Sequence, residues 1–422
     1  MGSDATQVQV GWVSSTGTRG SIDILSSSIM TIALCTWSTI CLDIPSHEAS
    51  RSGLNIHTRK IMWTVLGILC PEYIMFMSLY QRTSAQRTVA QFHKLGHSCW
   101  TVKHAFFADM GGFQIQSKAG GAPTIINGVQ LVSLVRDGYV ECPKVAAQEI
   151  WDRSKANNPA KLWTSLHAVW FLLGLLSRKL SGLPLAPLEI FTGAIVFCSI
   201  GNFIFWFQKP TDVQTRVTLS IDIPMSQIIS HDDNIINMSA PQASSSPSSR
   251  KSSHHNSSHP SLSLMNKVLY FVLGKGFAIS HLLAWNCYFP TPLELTGWRI
   301  ASLALFMASI VLWFIEIFIW GPDTDLMDDY LDPFAIGQRM PQAPILKQGG
   351  TAPKATFNRL GLSNRGFYIM KGLLRVTFVI FYLSARAFMT VEALISLRAQ
   401  PDDVYRHFDV TDLLSLIPTT PK

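Results

Sequence analysis

Carboxyls buried in apolar sequence are the groups in this chain best suited to chemistry. Glu316 lies in Trp313-Phe314-Ile315-Glu316-Ile317-Phe318-Ile319-Trp320. At helical spacing Ser309, Trp313, Glu316 and Trp320 share a face. Such surroundings disfavour a charged carboxylate, which suits a general acid. The flanking indole faces can stabilise a developing cation. Glu72 follows Pro71 within a second apolar run. Proline removes a backbone donor and crowds the preceding turn, so a kink is expected there with one carbonyl set free. A carboxyl beside a kink marks a cavity or a bound water. Both groups also have a purely structural explanation. Glu316 would pair with a base on another helix, and Glu72 would satisfy the freed carbonyl.

A basic stripe could supply such a base. Lys371, Arg375, Tyr382 and Arg386 recur at steps of four, seven and four, which places them along one side of a helix. Cations facing lipid are costly, so the stripe should face the bundle interior or a water-filled cavity. There it would bind an anionic group or pair with Glu72, Glu316 or Asp109. Lys371 and Arg375, near the helix end, can instead extend to the interface. Glu392 falls off the stripe, so a same-helix pair with Arg386 is poor by geometry. The segment Asp323 to Asp332 contains Asp328-Asp329-x-x-Asp332. That spacing can share magnesium ions on a diphosphate, although a solvated acidic loop is the simpler explanation of so short a motif. No Cys-x-x-Cys or Cys/His ligand spacing appears, so neither a metal site nor a disulfide framework is expected. No P-loop, nucleophile elbow, HExxH or dinucleotide fingerprint is present.

These groups need apolar helices to hold them. Of 422 residues only 14% are charged and 48% are hydrophobic, against about 25% charged in ordinary soluble domains. The mean hydropathy is +0.23. A helix needs about 20 apolar residues to cross a bilayer. Seven candidates follow: Ile22 to Leu42, Ile61 to Tyr80, Leu162 to Leu176, Leu185 to Phe207, Val268 to Phe289, Ile300 to Trp320 and Phe367 to Leu397. The expected fold is therefore an all-α polytopic helix bundle. Its first membrane region would cover residues 1–225, with a membrane-proximal cap at 81–160. A Ser-rich linker would follow at 226–263, with composition too polar to order itself, and then a second membrane region at 264–422. Val102 to Phe113 and Val129 to Tyr139 read as amphipathic pieces of the cap. Asn237 and Asn256 begin glycosylation sequons in the linker.

Trp163, Trp206, Trp298 and Trp320 stand at or near span ends and are expected to anchor at the interface. The formal charge of +7 is spread over loops, as in Arg178-Lys179, which suggests contact with anionic headgroups of membrane lipids. No concentrated basic face argues for nucleic acid. The first twenty residues are polar, so no cleavable signal peptide is expected. Basic residues in short loops favour a luminal N-terminus and a cytosolic C-terminus. The inverted repeat common in transporters is not visible.

Several strings occur together: Gly11-Trp12-Val13-Ser14-Ser15, Arg19-Gly20-Ser21-Ile22-Asp23-Ile24, Trp100-Thr101, His104-Ala105-Phe106-Phe107-Ala108-Asp109-Met110-Gly111-Gly112-Phe113, Gly182-Leu183-Pro184 and Lys209-Pro210-Thr211-Asp212-Val213. They continue with His281, Ala284-Trp285-Asn286, Phe289-Pro290-Thr291-Pro292, Glu294, Trp298-Arg299, Ala385-Arg386, Val391-Glu392-Ala393 and Ile395-Ser396-Leu397-Arg398. With these strings the chain resembles a broad fungal family of multi-span proteins. Its assigned members are membrane-bound terpene cyclases of meroterpenoid pathways, of the macrophorin and ascofuranone type. Thr16-Gly17 departs from the Pro followed by Asn or Asp found at that turn.

The resemblance implies a cyclase that needs no cofactor, takes a lipid-soluble prenylated substrate and works beside other pathway enzymes in the endoplasmic reticulum membrane. It brings no catalytic residue with it. On physical grounds the candidates are Glu316, Glu72, Asp109, Arg386 and Glu392 for catalysis, with Trp313, Trp285, Tyr382 and His281 for substrate binding. A transporter or receptor-like protein is one alternative. A magnesium-dependent prenyltransferase using Asp328, Asp329 and Asp332 is another.

Overall fold

The computed structural model describes residues 9–14, 19–44, 56–118, 120, 123–154, 158–213, 215–222, 264–318 and 364–406. Within them the chain is mostly helical. The expected linker and its sequons, Trp320 and the aspartates from Asp323 to Asp332 lie outside the described residues.

The first helix, α1 (Ser21–Thr39), starts at Gly20, whose amide donates to Asp23 Oδ2 at 2.8 Å. A carboxylate in the first turn also suits the helix dipole. The second expected span is two helices, α2 (Ile56–Leu69) and α3 (Pro71–Lys94), bent by 112° at the break. Pro71 opens α3, where a missing N–H costs nothing. The small helices α4 (Val102–Asp109), α5 (Gly128–Arg136) and α6 (Ala147–Arg153) follow. Then come the long α7 (Asn158–Leu180), α8 (Pro187–Phe205), α9 (Leu264–Leu282), α10 (Pro292–Phe318) and α11 (Asn364–Ile395).

Among the described residues, four stretches are long and apolar enough to cross a membrane: Ser21–Thr39, Pro187–Phe205, Pro292–Ile310 and Val376–Arg398. Counting the bent α2–α3 pair as one span makes five. In α9 the apolar part is the shorter Val268–Leu282.

The mostly buried α8 lies at the centre, against α1, α3, α7, α9 and α11. Helices from both halves of the chain thus form one bundle. Gly201 lets α3 approach α8, since a Cβ there would stand 2.7 Å from Met75 Sδ. Small residues at such crossings allow close backbone packing. The two chain ends meet as well. Strand β1 (Gln9–Val10) pairs antiparallel with β5 (Gln400–Pro401), and Ser21 Oγ donates to the Tyr405 hydroxyl at 3.0 Å. Arg178 is buried and donates to the carbonyls of Val404 at 2.8 Å and Arg406 at 2.9 Å. It ties the C-terminal segment to α7 and does not reach toward headgroups as expected; only its neighbour Lys179 is exposed.

The cap sits on the far end of α3 and adds a small three-stranded sheet to the all-α fold. Strand β2 (Phe113–Ser117) pairs antiparallel with β3 (Thr124–Ile126) and parallel with β4 (Val217–Ile221). The cap therefore draws in a strand from beyond α8. Its core includes Phe92, Trp100, Phe107, Phe113 and Leu131, with Phe92 and Trp100 stacked at 4.1 Å. His104 spends both ring nitrogens on backbone: Nδ1 accepts from the Thr101 amide at 3.2 Å and Nε2 donates to Val145 O at 2.8 Å.

Two expected interface tryptophans are internal. Trp206 donates to Gln81 Oε1 at 2.9 Å and Trp298 to His281 O at 3.3 Å, and both are buried. Trp163, by contrast, is 69% exposed. Lys209, next to Trp206, is 2% exposed and donates to Cys41 O at 3.0 Å, Asp43 Oδ1 at 2.7 Å and Gln81 Oε1 at 2.9 Å.

Asp109 caps α5 inside this assembly. Its Oδ1 accepts from the Gly128 amide at 3.0 Å, while Oδ2 is buried without a partner. Burial pushes this carboxyl up to about 6, against the opposing pull of the bonds from Gly128 and Ser84. The folded state therefore prefers the neutral acid. Its stabilising effect is complete below the unfolded value of about 3.9 and is lost as pH rises through about 6. Thermal unfolding of the purified protein should show this loss, and Asp109→Asn should flatten it.

Candidate active site at the helix break

The last turn of any helix leaves carbonyls without intrahelical donors. At the α2–α3 break those of Ile68 and Leu69 are met by Arg386 from α11. Its Nε donates to Leu69 O at 2.9 Å and its Nη2 to Ile68 O at 3.2 Å. A third donor, Nη1, bonds to His281 Nε2 at 2.6 Å. The side chain is fully buried, and its guanidinium carbon lies 4.8 Å from the centre of the Phe191 ring and 5.1 Å from that of Phe277. These ring faces favour a cation.

Because Nε2 of His281 accepts from Arg386, its proton sits on Nδ1, which donates to Phe277 O at 3.0 Å. His281 is thus a neutral acceptor, held in place by both ring nitrogens and by Trp298 on its carbonyl.

Glu72 stands on the other side of the break, in the first turn of α3. The positive end of the α3 dipole would stabilise the carboxylate left when Glu72 gives up a proton, and Arg386 suits the negative end of α2. The Tyr382 hydroxyl, one helical turn from Arg386 on α11, donates to Glu72 Oε1. Arg386 also acts on Glu72 through its charge. The second oxygen, Oε2, is buried with no partner. One oxygen is held by Tyr382 and the other is available to give or take a proton.

The structure brings together four of the residues chosen from the sequence: Glu72, Tyr382, Arg386 and His281. It corrects one expected role, because Arg386 satisfies the freed carbonyls and Glu72 does not. It places Asp109, Glu392 and Trp285 apart from this cluster. Asp109 is in the cap. Glu392 lies about 9 Å further along α11 than Arg386 at 1.5 Å per residue, where the charge of Glu294 acts on it. Trp285 stacks on Arg299, whose guanidinium is 5.1 Å from its ring. The backbone of Trp313 and Glu316 is in α10, but their side chains lie outside the described residues, as do those of Lys371 and Arg375.

Phe191 and Phe277 were not anticipated. Phe277 lies four residues before His281, a spacing that puts both on one helix face. Phe191 had no comparable local signal. A separate cleft of about 680 Å³ in the cap is lined by His97, Cys99, Trp100, His104, Glu141 and Cys142 among others. Among the described residues no group of three His, Cys, Asp or Glu side chains is placed to hold a metal ion.

Removing the guanidinium should be costly, because it would leave two carbonyls and one imidazole nitrogen without donors in an apolar interior. Arg386→Met is expected to destabilise the protein by about 3–5 kcal/mol. Tyr382→Phe, which removes one hydrogen bond to a carboxyl, should cost about 1.5–3 kcal/mol. Denaturant unfolding in detergent measures both.

Residues 1–244 and 263–416 match the model of a family described as a family of unknown function, DUF8562. No curated protein and no solved structure matches the chain. The chain belongs to the DUF8562 family.

Proposed function

We propose that this DUF8562 member is an integral membrane terpene cyclase in which Glu72 donates the proton that starts ring closure on a lipid-soluble prenylated substrate. The observation that carries this is the Glu72 carboxyl, with Oε1 held by Tyr382 and Oε2 buried without a partner. The motif resemblance described above supplies the reaction type.

The chemistry needs no cofactor. Protonated Glu72 gives its proton to a terminal epoxide oxygen or olefin carbon of the prenyl chain. The C–O or π bond opens, an internal alkene attacks the resulting cation and a new C–C bond forms. The final cation loses a proton to a base, so the overall change is an isomerisation. Tyr382 would hold the carboxylate that Glu72 becomes, and the positive Arg386 would stabilise it. Excluding water protects the cation from capture.

The membrane part of the proposal rests on apolar surface. Beyond the helices long enough to cross, α7 exposes Leu162, Trp163, Leu166, Trp170 and Leu176 along one stripe. On α9, Val268, Val272 and Ile279 are exposed. We read both helices as lipid-facing. With the bent α2–α3 pair they bring the spans to seven, in the endoplasmic reticulum membrane.

Expression of the full chain in a clean fungal host fed with linear farnesylated precursors tests the proposal. Microsomes should form a cyclised product that is insensitive to EDTA. Glu72→Gln should lower the rate by about 100-fold or more, the usual size of a general-acid effect. Full activity in Glu72→Gln would remove Glu72 as the acid. Abolition by EDTA would favour the magnesium-dependent prenyltransferase instead.

A further inference from the structure

The helix ends fall into two groups, one at each end of the bundle. Pairing of β1 with β5 joins the two chain ends, and Ser21 at the start of α1 bonds to Tyr405 beyond α11. Arg19 pairs there with Glu189 at the start of α8, Arg178 near the end of α7 reaches Val404 O, and Glu294 at the start of α10 pairs with Arg398 beyond α11. At the opposite end Lys209, beyond α8, donates to Cys41 O, beyond α1, at 3.0 Å. The cap is at that end. The Ile44 amide donates to Met110 O at 3.0 Å, and Ser154, shortly before α7, donates to Thr211 O at 3.0 Å. Helix α9 runs antiparallel to α8, since Gly276 lies against Phe197 and His281 against Phe191. Helix α10 runs back beside α9, with Trp298 on His281 O and Ser309 on Lys275. Thus α1, α7, α8, α9, α10 and α11 each run from one end of the bundle to the other.

The seventh span, the bent α2–α3 pair, is of a different kind. Lys60, near the start of α2, holds its ammonium 4.9 Å from the centre of the Trp37 ring and 3.6 Å from Asp212 Oδ2. Trp37 is near the end of α1, so α2 begins at the cap end. Helix α3 runs in the same direction as α8: Met75 meets Gly201, Ser78 bonds to Asn202 at 3.0 Å and Gln81 to Trp206 at 2.9 Å. It finishes with Phe92 in the cap core. Both outer ends of the pair are therefore at the cap. Helix α2 has 14 residues, about 21 Å at 1.5 Å per residue, against about 30 Å of hydrocarbon. Cys70 and Pro71 at the break are buried, and Arg386 satisfies the Ile68 and Leu69 carbonyls. Backbone that leaves a helix at membrane depth is tolerated where it is buried in protein in this way.

We infer, on the membrane reading above and independently of the cyclase chemistry, that α2–α3 is a re-entrant hairpin that enters and leaves the bilayer on the cap side. The chain then crosses six times, and the hairpin reaches inward only as far as the Arg386 site. Its exposed Ile61, Met62 and Val65 face lipid of the cap-side leaflet. An even number of crossings returns the chain to its starting side, as the pairing of β1 with β5 requires. Both chain ends lie together, on the side opposite the cap. This replaces the luminal N-terminus and cytosolic C-terminus expected from the short loops. A crossing by α2–α3 would instead separate the two ends and put the cap on the side of the N-terminus.

The test places cleavage sites for a sequence-specific protease in the full-length chain, one at each terminus and one at Gly138, an exposed turn of the cap where an added side chain meets nothing. Should insertion at Gly138 prevent accumulation, the exposed turn at Gly96 carries the cap site. Protease is added to sealed microsomes, with detergent as the control that opens all three sites. The two terminal sites should respond alike and the cap site oppositely, whichever side is outermost. Cutting of the N-terminal and cap sites together, with the C-terminal site opposite, is the pattern of seven crossings and overturns the hairpin while the membrane reading stands. Any other difference between the terminal sites, or the same response at all three, also overturns it. Alkaline carbonate should leave the chain in the membrane pellet. Its release would overturn the membrane reading itself, and the hairpin with it.

Discussion

A helix that breaks inside an apolar bundle exposes carbonyls that water cannot reach, and Arg386 is the donor that satisfies them. Burying an isolated guanidinium is expensive unless its donors are used and its charge is answered. Here Ile68 O, Leu69 O and His281 take the donors, two phenyl rings face the cation, and its charge reaches the Glu72 carboxyl. The sharp bend at Pro71 is possible because of this arrangement. The position of Glu72 follows from it, since the residue after Pro71 is carried to the same point. Four separate helices (α2, α3, α9 and α11) thus depend on one side chain, and α8 contributes the Phe191 ring.

The same solution recurs elsewhere. Arg178 gives its donors to carbonyls of the C-terminal segment, and Lys209 gives one of its own to Cys41 just beyond α1. Both are buried. In this chain several cations that look like surface charges are internal caps for backbone that leaves a helix. Buried carbonyls need donors, and long basic side chains provide them where the chain turns within an apolar mass. The bundle is held by these contacts as well as by apolar packing around α8.

Much of this architecture was legible from local pattern. Long apolar runs marked the helices, Pro71 marked the break, and the four-residue step from Tyr382 to Arg386 put both on one face. The less legible parts were the ones set by distant partners. A proline predicts a kink but not a 112° bend, because the angle depends on what packs on either side. Strand β4 pairs in parallel with β2 across two long helices, and such pairing has no local signature. Trp206 and Trp298 read as interface anchors because a tryptophan near a helix end looks the same whether it faces lipid or core. Arg178 was misread for the same reason: its acceptors, Val404 and Arg406, lie far along the chain.

The dependence of Glu72 on Arg386 is the point on which the account rests, and a double-mutant cycle measures it directly. Arg386→Lys keeps the charge but loses the planar fork, and Glu72→Gln keeps the shape but loses the charge. If the two residues form one buried unit, the unfolding free energies of the single and double variants should be non-additive by about 1–3 kcal/mol. Additivity to within about 0.5 kcal/mol would mean that the two side chains act independently, and the proposed site at the helix break would not exist as a unit.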